Sequence, residues 1–220
     1  MRKTVVALQA RRGPEQLHDL QLTLRRADES ASTCDAQRFA IDLPADAALY
    51  DRLGRRPQHA PDWQAVAHLW HESDDHPSVL GDDFNAVHAW RVDERVAWDY
   101  DRTWPDGVAS PGVKQISFVG KRPDITDRQF VARYRAHVEI ARVHHSGVWK
   151  YAQNIVSRRG DDGTSAVGAI SEFWFRSVDD LINRYYTFDN SSAVTRADSA
   201  TFLDSATTTW MLVQEYWMHS

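Results

Sequence analysis

The sequence predicts an α+β protein made of two tandem units, each with the element order β-α-β-β-α-β. Its 220 residues suit two modules of roughly 100 residues each. Four segments of the first half have counterparts in the second half, in the same order and at similar offsets. A Pro/Gly/Ser-rich stretch separates the halves at residues 104–112 (WPDGVASPG) and is typical of a linker.

The four matching segments define the two units. TVVALQARRG (4–13) matches KQISFVGKRP (114–123), and RFAIDL (38–43) matches KYAQNI (150–155). AVAHLWHESDD (65–75) matches AISEFWFRSVDD (169–180), and Phe84 with WRVDERVAW (90–98) roughly matches Phe202 with WMLVQEYWM (210–218). We therefore expect domains at residues 1–104 and 113–220.

The second half has the clearer pattern of elements. Runs rich in β-branched and aromatic residues predict strands at 113–120, 149–157, 166–177 and 209–218. A long helix is predicted over 125–145, because Phe130, Tyr134, His137 and His144 recur on one helical face. Thr126 and Gln129 fit a capping box at its start. A second helix is predicted to begin at residue 178, and a further short helix over 191–203.

The first half follows the same order more weakly. Its first helix is predicted over 14–30, and residues 53–62 and 74–83 are predicted to be long loops. The order β-α-β-β-α-β is the ferredoxin-like pattern, whose sheet has one uncovered face. A duplicated chain supplies two such sheets, so we expect them to pack face to face as an intramolecular dimeric α/β-barrel. A chain of this kind can be a monomer or a homodimer.

Composition excludes several function classes. A net charge of −5 argues against a nucleic-acid surface, which needs clustered Lys and Arg. No apolar run approaches the roughly 18 residues that a membrane span needs. The N-terminal segment MRKTVVALQARR predicts a short strand and not a signal peptide. The only cysteine, Cys34, allows no internal disulfide, which favours a cytoplasmic location; its polar surroundings do not indicate a nucleophile.

Metal and cofactor motifs are not evident. His137 and His144 lie seven residues apart on the predicted helix, about 10 Å by helix rise, which is too far for one metal. The glycines of GDDGT (160–164) predict a hairpin turn and not a phosphate loop. We therefore predict no metal and no cofactor.

His137 is the leading candidate for chemistry, because an imidazole exchanges protons near neutral pH. Tyr134 lies one turn before it, where its hydroxyl could orient the imidazole or donate to an oxyanion. The alternative for both is a structural role in the core. At the same offset the first half has Ala27, so we expect the first half to be a scaffold and the second half to carry the site.

Polar residues within apolar strands are further candidates. Gln153 and Asn154 are adjacent, so only one of them faces a given cavity. Glu172 lies in the apolar segment AISEFWF, where a carboxylate indicates a partner, a site or an exposed strand face. The nine tryptophans serve either the core or the walls of a pocket for flat apolar ligands.

Residues 113–217 resemble the EthD family. The resemblance rests on GKRPDITDRQF after the first strand, on Phe130-x-x-x-Tyr134-x-x-His137, on GVWKYAQN, on AISEFWF and on Phe202-Leu203-Asp204 before the last strand. The family often has a second His directly after the first and a Pro soon after. This chain has Val138 and Ile140 there, so the resemblance implies a single His.

The resemblance implies a small cofactor-independent enzyme or accessory protein of aromatic catabolism or polyketide tailoring; haem, which related barrels hold, is a minor alternative. We expect a lyase or isomerase of decarboxylase or dehydratase type that acts on an apolar aromatic or polyketide-like molecule. His137 and Tyr134 would be catalytic. The expected substrate-binding residues are Phe130, Trp149, Tyr151, Asn154, Glu172, Trp174 and Phe202. The alternative function is a non-catalytic small-molecule-binding protein.

Overall fold

The computed structural model describes residues 1–11, 20–33, 36–72, 84–159 and 166–219. Cys34, the start of the predicted first helix, the predicted loop at 74–83 and the predicted turn at 160–164 lie outside these residues. Among the described residues, no helix combines the length and apolar character that crossing a bilayer requires.

Eight strands and five helices form the described structure. The strands are β1 (Arg2–Ala10), β2 (Arg38–Pro44), β3 (Ala65–His71), β4 (Phe84–Trp98), β5 (Val113–Gly120), β6 (Val148–Arg159), β7 (Val167–Phe175) and β8 (Thr209–His219). The helices are α1 (Leu20–Thr33), α2 (Ala48–Leu53), α3 (Asp127–His144), α4 (Val178–Asn183) and α5 (Ser191–Ser199). The predicted strands are confirmed to within a few residues, whereas the pattern did not predict α2.

The strands close into one antiparallel barrel in the order β1-β3-β2-β8-β5-β7-β6-β4. When the four strands of each half are numbered 1 to 4 along the chain, their order in the barrel wall is 4-1-3-2 in both halves. The α+β class and the barrel are confirmed, but the expectation of two sheets packed face to face is wrong. The edge strands β2 and β8 pair with each other, and so do β4 and β6. These two pairings satisfy the open edges of both halves and make the sheet continuous.

Both faces of the barrel wall are buried along most strands, whereas β4 has several exposed positions. Inward-facing side chains such as Val5, Trp90 and Ile116 form an apolar cluster in the interior. Outward-facing residues of the first half form a second cluster with Ala27 and Ala31 of α1. Because both faces are buried along most strands, apolar residues occur on both sides of these strands, and their alternation does not show which side faces inward.

Helix α3 covers the outer face of the second half. Thr126 and Gln129 form the predicted capping box, with each side chain bonded to the backbone of the other. The buried residues of α3 are Phe130, Tyr134, His137, Val138 and Ala141, which is the predicted face. His144 is only half buried. This helix therefore directs Tyr134 and His137 toward the sheet.

Candidate functional site

A cavity of about 410 Å³ lies between the outer face of β5, β6 and β7 and the helices α3 and α5. His137, Tyr134, Tyr151 and Phe202, all predicted site residues, line it. Its other lining residues come from strands, helices and loops: Arg55, Gln115, Ser117, Val119, His145, Ser171, Phe173, Tyr185, Tyr186, Thr195, Arg196, Ser199, Leu203, Thr208 and Trp210. Hydroxyl groups and aromatic rings dominate this surface, which suits a flat ligand with a few polar groups.

His137 is held by a carboxylate. Its Nδ1 atom lies 2.6 Å from Oδ2 of Asp198, a residue of α5. Because an ionised carboxylate only accepts hydrogen bonds, the ring proton of neutral His137 lies on Nδ1. Nε2 has no hydrogen-bond partner in the described part of the chain, so it is the nitrogen that can act on a ligand.

Tyr134 has a different partner from the one expected. Its hydroxyl lies 2.7 Å from Oγ of Ser171 on β7, and Asp198, not Tyr134, orients the imidazole. The expectation that Tyr134 holds the imidazole is therefore not met in this structure, while a role in binding an oxyanion stays a prediction. Burial raises the pKa of the Tyr134 hydroxyl well above its usual range, so it stays a proton donor.

Gln153, rather than Asn154, faces α3. Its Nε2 atom donates to the backbone oxygen of Tyr134 at 2.5 Å and to the hydroxyl of Tyr151 at 3.0 Å. Both bonds are buried, and they fix Tyr151 at the floor of the cavity. Burial also raises the pKa of Tyr151, so two neutral phenols line this region.

His145 lines the cavity as a neutral imidazole. Burial lowers its pKa to about 4, and the positive charge of Arg55 acts in the same direction. Its Nδ1 atom lies 2.7 Å from the backbone oxygen of Tyr185, so the ring proton lies on Nδ1. His145 can therefore accept a hydrogen bond from a ligand through Nε2, but it carries no charge near neutral pH.

The aromatic wall involves fewer of the predicted residues than expected. Phe202 packs edge-on against the ring of His137, with centroids 5.5 Å apart. Phe130 stacks on Tyr134 and contacts Phe202, but it packs behind the lining residues. Of the nine tryptophans, Trp210 lines this cavity.

Asn154, Glu172 and Trp174 lie on the other side of the barrel wall. Successive strand residues face opposite sides, so the residues next to Gln153, Ser171 and Phe173 point into the barrel. Asn154 donates to Glu172 there, with Nδ2 2.7 Å from Oε1. The expectation that these three residues share a pocket with His137 is therefore wrong.

Trp149 is also away from the cavity. Its ring stacks on Tyr100, with centroids 4.1 Å apart, and contacts Trp104 of the linker. The guanidinium of Arg176 lies 4.8 Å from its ring centroid. Trp149 therefore belongs to an aromatic cluster near the connection between the halves, which corrects its expected role in the pocket wall.

The charged residues inside the barrel form a compensated network around Lys114. Its Nζ atom lies 2.5 Å from Glu172, 2.8 Å from Asp42 and 3.2 Å from Glu215. Burial alone would lower the pKa of Lys114, but the three carboxylates raise it well above its usual value. Burial likewise opposes ionisation of Glu172, but Lys114 and Lys3 hold its pKa well below the usual range.

This network includes one group of potential metal ligands. Single ligand atoms of Asp42, His68 and Glu172 lie within 4.8 Å of one another. The ammonium of Lys114 contacts both carboxylates and already supplies the positive charge that a metal ion would bring. The donor set therefore fits an internal ion-pair network better than a metal site.

Sequence reasoning missed Asp198 and Arg55. Asp198 lies in α5, where nothing local distinguishes it from other acidic residues. Gly54 ends α2 with a left-handed φ of 68°, which favours glycine, and Arg55 is the next residue. Arg55 belongs to the first half, so this half contributes to the cavity lining, and the expectation that the second half carries the site stays a prediction.

Known proteins resemble this chain in domain and fold. Residues 122–206 match the family model of the EthD domain. An anthrone oxidase-like protein has the same fold, with 10% sequence identity, a TM-score of 0.60 and coverage of 100% of this chain and 94% of that one. A provisionally named monooxygenase from Fusobacterium nucleatum subsp. nucleatum has 7% identity, a TM-score of 0.50 and coverage of 99% and 91%. No curated protein matches the chain. Residues 122–206 are thus similar to the EthD domain, and the whole chain shares its fold with these proteins.

Proposed function

We propose that this protein is a cofactor-independent enzyme that moves a proton on an apolar aromatic or polyketide-like small molecule, as a lyase or isomerase. The observation that carries the proposal is the pair His137–Asp198 at the edge of a cavity, with Nδ1 and Oδ2 2.6 Å apart. A carboxylate that fixes one ring nitrogen leaves the other as an oriented base. The EthD domain and the enzyme names among proteins of this fold are consistent with small-molecule processing.

The proposed step is proton abstraction next to a carbonyl. Nε2 of His137 takes a proton from carbon, the electron pair moves onto the carbonyl oxygen, and an enolate forms. Asp198 stabilises the imidazolium that results. The hydroxyls of Tyr134, Ser171 and Tyr151 line the cavity and can donate to the developing oxyanion. Return of the proton from the imidazolium to another carbon gives isomerisation. Transfer of that proton to a β-hydroxyl, which leaves as water while the enolate electrons form the C=C bond, gives dehydration.

The two halves have different roles in this proposal. Residues 1–104 and 113–220 would be tandem ferredoxin-like units, of which the second carries His137 and the first completes the barrel and one wall of the cavity. Monomer and homodimer are both compatible with the barrel, since each half pairs with the other inside one chain. Light scattering of the purified protein distinguishes the two states.

Hydrogen–deuterium exchange tests the proposed chemistry without knowledge of the natural substrate. A suitable probe is 2-tetralone, a bicyclic ketone whose acidic methylene lies between the ring and the carbonyl. We expect the protein to accelerate exchange of this methylene in D₂O, as followed by proton NMR. His137→Asn should lower the accelerated rate by about 100-fold or more, in line with the usual contribution of a general base.

The matched control is His144→Asn. His144 is on the same helix, but its Nδ1 atom bonds to Oγ of Ser191 and it does not line the cavity. The control should exchange the probe at the wild-type rate. A His137→Asn rate within 10-fold of wild type would exclude His137 as the base. Binding of 2-tetralone without acceleration by the wild type would favour the non-catalytic binding protein.

A further inference from the structure

The charged side chains that line the cavity are all basic. Two arginines, Arg55 and Arg196, line the cavity, and none of its lining residues is an aspartate or glutamate. Asp198 contacts His137 but is not among the lining residues. His145 is neutral because burial lowers its pKa to about 4. Within the part of the chain that the structure describes, the lining therefore carries cationic groups without acidic ones.

Arg55 is the more enclosed of the two arginines. Its guanidinium carbon lies 4.0 Å from the ring centroid of Tyr185 and 5.5 Å from that of Trp210. One terminal nitrogen donates to Oε1 of Gln115 at 3.3 Å. Arg196, in contrast, is exposed at the rim. Stacking and the bond to Gln115 hold the Arg55 guanidinium in one orientation before a ligand arrives.

Part of the hydrogen-bonding capacity of Arg55 is unused, although the hydroxyls of Tyr185 and Tyr186 interact with its guanidinium in addition to Gln115. Its Nε atom is shielded from solvent and has no partner among the described residues. No described carboxylate forms an ion pair with Arg55, whereas its neighbour Arg56 pairs with Asp51, with Nη2 2.5 Å from Oδ1. A half-buried guanidinium with an unpaired Nε donor and no carboxylate partner among the described residues is suited to bind an anion, and its planar fork matches a carboxylate.

We infer that the natural substrate is an aromatic molecule that carries a carboxylate, and that Arg55 binds this carboxylate. The inference deepens the proposed function and rests on it for the identity of the reactive site. The aromatic part would lie among Tyr185, Trp210 and Phe173, which line the cavity. A carboxylate bound to a guanidinium is stabilised as an anion, so it serves as an anchor and not as the leaving group. This favours isomerisation or dehydration over loss of that carboxylate as CO₂.

Binding of two matched probes tests the inference. The probes are 2-naphthoate and 2-naphthamide, which share shape and size but differ in charge, and their dissociation constants are measured by titration calorimetry. We expect the wild type to bind the naphthoate at least about 10-fold more tightly than the amide. Arg55→Gln should weaken naphthoate binding by about 10- to 100-fold and leave amide binding almost unchanged. Arg55→Lys, which keeps the charge but loses the fork, should give an intermediate value.

Arg56→Gln is the control, because it removes the same charge from the adjacent, exposed position. It should retain the wild-type preference for naphthoate. Equal affinities of the two probes for the wild type, no binding of either probe, or equal effects of the Arg55 and Arg56 variants would each overturn the inference. If the wild type prefers naphthoate but does not accelerate exchange of 2-tetralone, the proposed chemistry alone is refuted. If it accelerates exchange but does not prefer naphthoate, the inferred substrate class alone is refuted.

Discussion

Nδ1 of His137 and Oδ2 of Asp198 lie 2.6 Å apart although 61 residues separate them in the chain. The contact joins the middle of α3 to the last turn of α5, and both helices border the cavity. Asp198 is about one-third exposed, whereas His137 is buried. The carboxylate thus holds Nδ1 of the imidazole and leaves Nε2 without a partner among the described residues.

Asp198→Asn should lower the exchange rate of 2-tetralone by about 100-fold or more while His137 stays in place. An amide nitrogen can donate to Nδ1, which would move the ring proton to Nε2 and remove the base from the cavity side. Asp179→Asn is the control, because Asp179 accepts from Asn183 within α4 and does not contact His137. A wild-type rate in the Asp198 variant would show that the carboxylate has no positioning role.

The low pKa of His145 should make stability depend on pH. The pKa is about 4 in the folded chain, against about 6.5 in an unfolded one. Between these values the unfolded chain binds a proton that the folded chain does not, so the free energy of unfolding falls as the pH falls from 6.5 toward 4. We expect His145 to account for a loss of about 2–3 kcal/mol across this window.

Urea unfolding at several pH values measures this loss. His145→Gln keeps a donor for the backbone oxygen of Tyr185 but does not titrate, so its stability should depend less on pH in this window. Ser146→Ala, a change at the neighbouring exposed position, should retain the wild-type dependence. Parallel pH profiles for wild type and His145→Gln would contradict the low pKa.

Lys114→Met should destabilise the fold strongly. The change leaves Asp42, Glu172 and Glu215 in the barrel interior without the cation that they share. Removing one partner of a buried ion pair typically costs about 3–5 kcal/mol of unfolding free energy. Arg135→Met, which removes an exposed pair with Asp93, should cost less than about 1 kcal/mol. Similar costs for both variants would show that the interior charges are not stabilised by Lys114.

The purified protein should be colourless and free of stoichiometric metal. The sequence has no phosphate loop, and Lys114 supplies the positive charge within the group of Asp42, His68 and Glu172. Absorption spectroscopy and elemental analysis measure these properties directly. A Soret band, a flavin spectrum or one equivalent of zinc would contradict the prediction.

Local periodicity in the sequence predicts the part of the site that lies on α3. The face of α3 with Phe130, Tyr134 and His137 is visible as a helical repeat, and Thr126 with Gln129 marks its start. These signals depend on residues within one or two turns of each other. They therefore place His137 on a buried face before any tertiary contact is known.

The strand residues could not be assigned in the same way. Both faces of β6 and β7 are buried at these positions, so the apolar alternation does not tell Gln153 from Asn154, or Phe173 from Glu172. Closing the edges into a barrel is a tertiary event, and it decides that Glu172 joins Lys114. Asp198 and Arg55 reach the cavity through long-range packing of α5 and of the segment after α2, which no local pattern encodes.

The position of the ring proton on His137 tests the central claim most directly. Long-range proton–nitrogen NMR correlation on the ¹⁵N-labelled wild-type protein distinguishes the two neutral forms of each histidine, and His137→Asn identifies the His137 signals. At a pH where His137 is neutral, we expect Nδ1 to carry the proton, held by Asp198, and Nε2 to be bare and to shift when 2-tetralone is added. A proton on Nε2, or a ring that does not respond to the ligand, would contradict the role of His137 as the base of this cavity.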